Sequence, residues 1–108
     1  MMNRKGEVYF NNIICGYIIE NDEGFKFYYL KEWLDNPHSQ PISLTMPLTR
    51  ESYFSPVLFP FFDGLIPEGW LLEVALTKWN LNRNDRMGLL LTVCEDSIGA
   101  VSVKEVKE

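Results

Sequence analysis

Hydrophobic and polar positions alternate through the first third of the chain. Val8-Tyr9-Phe10, Asn11-Asn12 and then Ile13 to Ile19 read as two strands joined by a tight turn. Asparagine pairs suit such turns because they tolerate the positive backbone angles of two-residue hairpins. Gly16, inside the second strand, predicts a bulge or a close approach of another backbone. Asn21-Asp22-Glu23-Gly24 forms a second turn, and Phe25 to Leu30 a third strand. Phe25, Phe27 and Tyr29 share one face of it, alternating with Lys26 and Tyr28, so that face is expected in the core. The pattern is an antiparallel meander.

Lys31 to Asn36 is long enough for one helical turn anchored by Trp33 and Leu34, which Pro37 would stop. Pro41 to Pro47 alternates again, with Ile42, Leu44 and Met46 on one face. It is expected as a fourth strand, short or at an edge because proline stands at both ends. Thr49 to Pro56 reads as a polar loop, and Val57-Leu58 as a brief strand.

The rest of the chain is organised around Phe59 to Trp79, an apolar run, a Gly/Pro-punctuated turn and an amphipathic helix in one segment. Proline is suited to the first turn of a helix, and a carboxylate beside it meets the positive end of the dipole. The helix is therefore expected from about Pro67, followed by Glu68, to about Trp79. On a wheel of about 100° per residue, Leu71, Leu72, Ala75, Leu76 and Trp79 fall on the arc assigned to the core. Glu73, Thr77 and Lys78 lie opposite, and so do Trp70 and Val74. A tryptophan with a valine one turn away on a polar face marks a contact surface. Two other readings stand beside it: Trp70 folded back over the Pro67-Glu68-Gly69 turn, or Trp70 as a stacking platform for a small molecule.

Asn82 followed by Asp85 resembles a capping arrangement for a second helix. Met87, Leu90, Leu91 and Cys94 recur there at helical spacing as a core stripe, and Glu95-Asp96-Ser97 would end the helix. Ile98 to Val103 reads as a last β-branched strand, and Lys104 to Glu108 as a frayed charged tail. The sum is an α+β fold: an antiparallel sheet of about five strands with two main helices in the C-terminal half.

Composition narrows the function. The 108 residues make one domain, residues 1–108, at 46% hydrophobic and 14% aromatic content, which describes a folded chain. A net charge of −5 argues against direct nucleic-acid binding, which needs clustered cations. No apolar run approaches the roughly 18–20 residues of a membrane span, and the start is no signal peptide, so a cytoplasmic, membrane-free protein is expected. Cys15 and Cys94 are too few for a disulfide scaffold or zinc site and read as buried free thiols.

Enzyme signatures are absent: no phosphate loop, no nucleophile elbow and no HExxH motif. His38, the only histidine, reads as an exposed loop residue. Asp63 reads as a cap or brace of the central turn, Glu68 as an answer to the helix dipole, and Asp96 as a turn former near Gly99. The expectation is a non-enzyme with no cofactor, no metal and no catalytic residue.

A family resemblance adds to this reading. It is carried by Gly6 to Tyr17 with its paired strands, and by Trp33-Leu34 followed by Asn36-Pro37 and then Ile42 to Leu48. Phe61-Phe62-Asp63-Gly64-Leu65-Ile66-Pro67-Glu68-Gly69, its most specific part, and the terminal Asp96 to Val101 complete it. Together these segments resemble the N-terminal subdomain of HipA-type bacterial serine/threonine kinase toxins over nearly the whole chain. The kinase family places its nucleotide loop, catalytic Asp and metal-binding Asp downstream, and none of these is in this sequence. Without them a chain cannot hold ATP–Mg²⁺.

Free-standing copies of this subdomain are similar to the HipS antitoxins of three-gene HipBST systems. The resemblance implies a partner kinase of the HipT type, which lacks this subdomain, and a HipB-like helix-turn-helix protein in a ternary complex. An initiator-like Met1 and a polar tail favour that form over the alternative, the regulatory subdomain of a full-length kinase. A detached subdomain forgoes the high effective concentration of fusion. A buried interface tryptophan, often worth about 2 kcal/mol, would replace part of it. The expected kinase-binding set is Trp70, presented by Pro67, Glu68 and Gly69, flanked by Val74 and joined by Asp63. Trp70 would wedge beside the kinase's mobile phosphate-binding loop. A third reading, a small-ligand site stacking on Trp33, Tyr53 or Trp70, would need a pocket with convergent polar groups.

Overall fold

The structure, a computed structural model, describes residues 3–95 and 99–107. The hairpin sits where the asparagine pair predicts. Strands β1 (Arg4–Phe10) and β2 (Ile13–Asn21) pair antiparallel, and Asn11 and Asn12 take φ of 49° and 68°. Both positive angles are what a turn matched to strand twist requires. The register slips between Val8, opposite Gly16, and Tyr9, opposite Ile14, which leaves Cys15 as the extra residue of a bulge. Gly16 is needed beside it, since a Cβ there would lie 2.4 Å from the Tyr28 carbonyl oxygen. Asn21 accepts from the backbone N–H groups of Glu23 and Gly24, closing the turn into β3 (Gly24–Tyr29).

The fold is α+β, with five strands in the order β4-β3-β2-β1-β5, every neighbour antiparallel. The fourth strand is not Pro41–Pro47. That segment is irregular, with Ile42 and Met46 buried and Leu44 95% exposed. The Met46 N–H turns back to the Ser43 carbonyl, and the Ser43 and Thr45 hydroxyls bond at 2.9 Å. The Tyr29 hydroxyl accepts from Ile42 N–H at 3.0 Å and donates to the Met46 carbonyl, while Trp33 Nε1 donates to Gln40. Backbone groups spent on these local partners leave no ladder for a neighbouring strand.

Strand β4 is instead Tyr53–Ser55, from the stretch expected as a polar loop, and it pairs with Phe25–Phe27 of β3. Val57-Leu58 forms no strand. The last strand, β5 (Val101–Glu105), begins later than expected and takes in Lys104 and Glu105, which were expected to fray. The Val106 N–H also bonds Lys5. Ile98, Asp96 and Ser97, named in the expected strand and turn, lie outside the described residues.

Four helices complete the described chain: α1 (Lys31–Asp35), α2 (Pro60–Asp63), α3 (Gly69–Trp79) and α4 (Arg86–Val93). Helix α1 is the single turn expected, with Trp33 buried and its ring 5.8 Å from that of Phe10. Helix α2 starts on Pro60, whose missing N–H costs nothing there. It drives Phe62 into the core against Phe27, ring centroids 5.5 Å apart, with Phe59 and Phe61 packed around it. The cap of α4 is Asp85 and not Asn82: Asp85 accepts from Gly88 N–H at 3.1 Å, whereas Asn82 accepts from Asn84 N–H in the turn before. Arg4 fixes the choice, bonding Asp85 at 2.7 and 2.8 Å and Glu20 at 2.6 and 3.0 Å.

One face of the sheet builds the core. Val8, Ile18, Phe27 and Val103 point into it and meet Phe62, Met87, Leu89 and Leu90. Cys15 and Cys94 are buried free thiols there, pushed by burial up to about 12 and about 11. At the sheet border, Cys94 C=O accepts from Val103 N–H at 3.0 Å. The opposite face, set by strand alternation, carries Lys5, Glu7, Tyr9, Tyr17, Lys26, Tyr28, Phe54 and Lys104, all partly or fully exposed.

Candidate functional site

Helix α3 starts later than Pro67. Glu68 is extended and serves as the N-cap position without a side-chain cap bond, and Gly69 has φ of +62°. That left-handed residue separates Pro67 from the helix, a conformation glycine adopts without a Cβ penalty. The helix ends on Asn80, also left-handed, with Asn80 and Leu81 N–H groups both donating to Leu76.

Of the five residues expected in its core arc, Leu72 and Ala75 are buried and Leu76 is half-buried. Leu71 and Trp79 are not: 51% and 46% of their surface is exposed. The reason is position. Leu71 borders Val74 on the wheel, and the buried arc is too narrow to cover both. Trp79 is in line with Leu72 and Ala75, but as the last helical residue it overhangs the body.

Trp70 is 74% exposed and Val74 52%. At that exposure Trp70 does not fold back under its own turn, so the self-covering reading is set aside. Trp70, Val74, Lys78 and Leu71 fill an arc of about 100° on the outward side of α3. Beside them runs a shallow groove of about 530 Å³, floored by Pro67, Leu71, Val74, Ala75 and Trp79 and walled by Thr92, Val93 and Glu95 after and along α4. Lys78 lies 4.9 Å from the Trp79 ring centre, and Arg83 bridges to Glu73.

The remaining residues of the expected set divide. Pro67, Glu68 and Gly69 form the turn that presents Trp70, and Glu68 and Gly69 are exposed. Asp63 stands apart: its Oδ1 accepts from Arg86 Nε at 2.6 Å, bracing α2 against α4. His38 is exposed, its backbone N–H bonded to Asn36. Trp33 and Tyr53 are occupied by the fold: Trp33 is buried, and the Tyr53 hydroxyl donates to Pro47. Among the described residues no cluster of three or more His, Cys, Asp or Glu could hold a metal, and no helix is long and apolar enough to cross a membrane.

The architecture defines a class: a five-stranded antiparallel sheet with helices on one face and a peripheral amphipathic helix. Comparison with known proteins gives the family. The family model described as HipA N-terminal domain matches residues 6–104, and the chain belongs to that family. A protein of Haemophilus influenzae described only as uncharacterized is 34% identical over 107 residues, which span 97% of this chain and 95% of the relative. Among solved structures, one titled "N-terminal domain of HipA toxin" superposes with a TM-score of 0.71 at 28% identity, covering 97% of this chain and 94% of the other.

Proposed function

We propose that this protein is an antitoxin that binds a cognate HipA-family serine/threonine kinase toxin of the HipT type and inhibits it by direct contact. It acts in the cytoplasm, without catalysis or a cofactor of its own, and enters a ternary complex with a HipB-like helix-turn-helix protein. The observation that carries the reading is the exposed arc of Trp70, Val74 and Leu71 beside the α3–α4 groove. Large apolar side chains left outside a finished core are the material of interface anchors. Membership of the HipA N-terminal domain family supports a HipA-type kinase as the partner class.

The geometry of the turn before α3 supports a mechanism for this reading. Pro67, Glu68 and Gly69 form the turn before α3, and the Trp70 indole projects into solvent, where a partner can reach it without displacing any of this chain's own packing. Inserted beside the kinase's phosphate-binding loop, the ring would favour one loop arrangement over the closed, active one. Asp63 contributes through its Arg86 brace, keeping the turn in place.

The test is autophosphorylation of the neighbouring kinase with wild-type protein and with Trp70→Ala added. Suppression by wild type alone supports an inhibitor anchored by Trp70. Equal suppression by both keeps the inhibitor and removes the anchor. No suppression by either folded protein overturns the reading.

A further inference from the structure

The sheet face turned away from the helices has a different chemistry from α3. Its cations are held over rings. Lys5 Nζ lies 4.1 Å from the Tyr17 ring centre, Lys104 Nζ 5.1 Å from that of Tyr9, and Lys26 Nζ sits between Tyr28 and Phe54 at 5.5 and 5.9 Å. Tyr17 and Tyr28 are cross-strand neighbours with centroids 5.8 Å apart, so the motif is continuous from Lys5 of β1 to Phe54 of β4, with the Lys104–Tyr9 pair on the β5 side of it. The ion pairs Arg4–Glu20, Arg4–Asp85, Lys31–Asp35, Arg83–Glu73 and Arg86–Asp63 occupy other cations. Among the described residues none of the three sheet-face lysines forms an ion pair.

The charge balance of this face is inverted relative to the molecule. By register it carries three lysines against one carboxylate, Glu7, in a chain of net charge −5. An ammonium resting on an exposed ring is weakly held, and moving it to an incoming carboxylate breaks no salt bridge. The tyrosine rings beneath supply flat apolar area for the stems of acidic side chains.

We propose that this face docks an acidic polypeptide segment, an extended Asp/Glu-rich stretch of a partner protein, independently of the α3 surface. Nucleic acid fits less well. Three lysines are few for a phosphate backbone, Glu7 sits among them accepting from the Tyr9 hydroxyl at 3.0 Å, and the rest of the molecule repels polyanions. Beside Lys104 the surface turns acidic, with Glu7, Glu95 and Glu105 lining one recess with it, so a short acidic segment is favoured over a long polyanion.

The experiment titrates the isolated, ¹⁵N-labelled full chain with an oligoglutamate peptide at low salt. Shifts should fall on Lys5, Tyr17, Lys26, Tyr28 and Lys104 and spare Trp70 and Val74. In a fluorescence titration, Lys5→Glu/Lys26→Glu/Lys104→Glu should weaken binding more than about tenfold, and so should raised salt. Trp70→Ala should bind as wild type, which separates this face from kinase inhibition. Absent or scattered shifts in the wild type, unchanged binding by a folded triple variant, or oligothymidylate binding the face more tightly than the peptide would each overturn the proposal.

Discussion

The sheet with α2 and α4, and the helix α3 beside it, use similar residues for opposite ends. In the body, Phe27, Phe62, Ile18, Met87, Leu89 and Leu90 are closed off from solvent, and the rings around Phe62 interlock from three directions. In α3, eleven residues bury only Leu72 and Ala75, while Trp70, Leu71, Val74 and Trp79 stay outside. Stability therefore resides in the body, and α3 is free to carry residues chosen for something other than packing. A region whose apolar side chains contribute little to its own fold is where substitutions reveal recognition separately from folding.

Four substitutions test that division, beginning where the effect should be greatest. Phe62→Ala removes a fully buried ring and should lower stability by about 3–5 kcal/mol in urea titration. A cost below about 1 kcal/mol would mean the body is no more tightly packed than α3. Gly16→Ala forces a Cβ to within 2.4 Å of the Tyr28 carbonyl and should cost about 1–3 kcal/mol, as overpacking does.

Asp85→Asn keeps an N-cap acceptor but removes the charge facing Arg4, for a loss of about 1 kcal/mol at neutral pH, discounted because the pair is partly exposed. It also has a pH signature. The Arg4 guanidinium, hydrogen-bonded to Asp85, holds that carboxyl below its ordinary value. A lowered folded pKa means the stabilisation is present above the ordinary carboxylate range and is lost as pH falls through the lowered value. Wild type should therefore lose stability more steeply on acidification than the variant, and parallel acid limbs would remove Arg4–Asp85 from the ledger. Smallest of all, Trp70→Ala should change stability by no more than about 0.5 kcal/mol. A larger loss would show that α3 shares in holding the body together.

How far the sequence speaks differs between these regions for physical reasons. The first three strands were legible because alternation, the asparagine pair and Gly24 all act locally. Pro41–Pro47 alternates equally well, yet it folds as a loop because the Tyr29 hydroxyl, contributed from another strand, takes its backbone groups. Tyr53–Ser55 is a strand only because β3 offers an edge to three residues whose own pattern is too short to register. The exposure of Trp70 and Val74 was readable from the wheel. That of Leu71 and Trp79 was not, since periodicity states which residues share a side, not how wide or how long the covering surface is. The groove with Thr92 and Val93 of α4 depends on tertiary placement, and no local signal marks it. Of the open-face lysines only Lys26 stands at an alternating position that the sequence marks; Lys5 precedes the expected first strand and Lys104 falls in the expected frayed tail, and their pairing with rings required the strand order.

The bond from Val103 N–H to Cys94 C=O has a consequence for how these molecules meet one another. It occupies the middle of β5, the strand at one border of the sheet, and the other border, β4, is three residues long and runs directly into Pro56. Among the described residues, two copies that collide border to border find no long uninterrupted row of free donors and acceptors on which to zip together. A sheet with interrupted margins can stay dispersed when crowded, without the chain polymerising on itself through its borders.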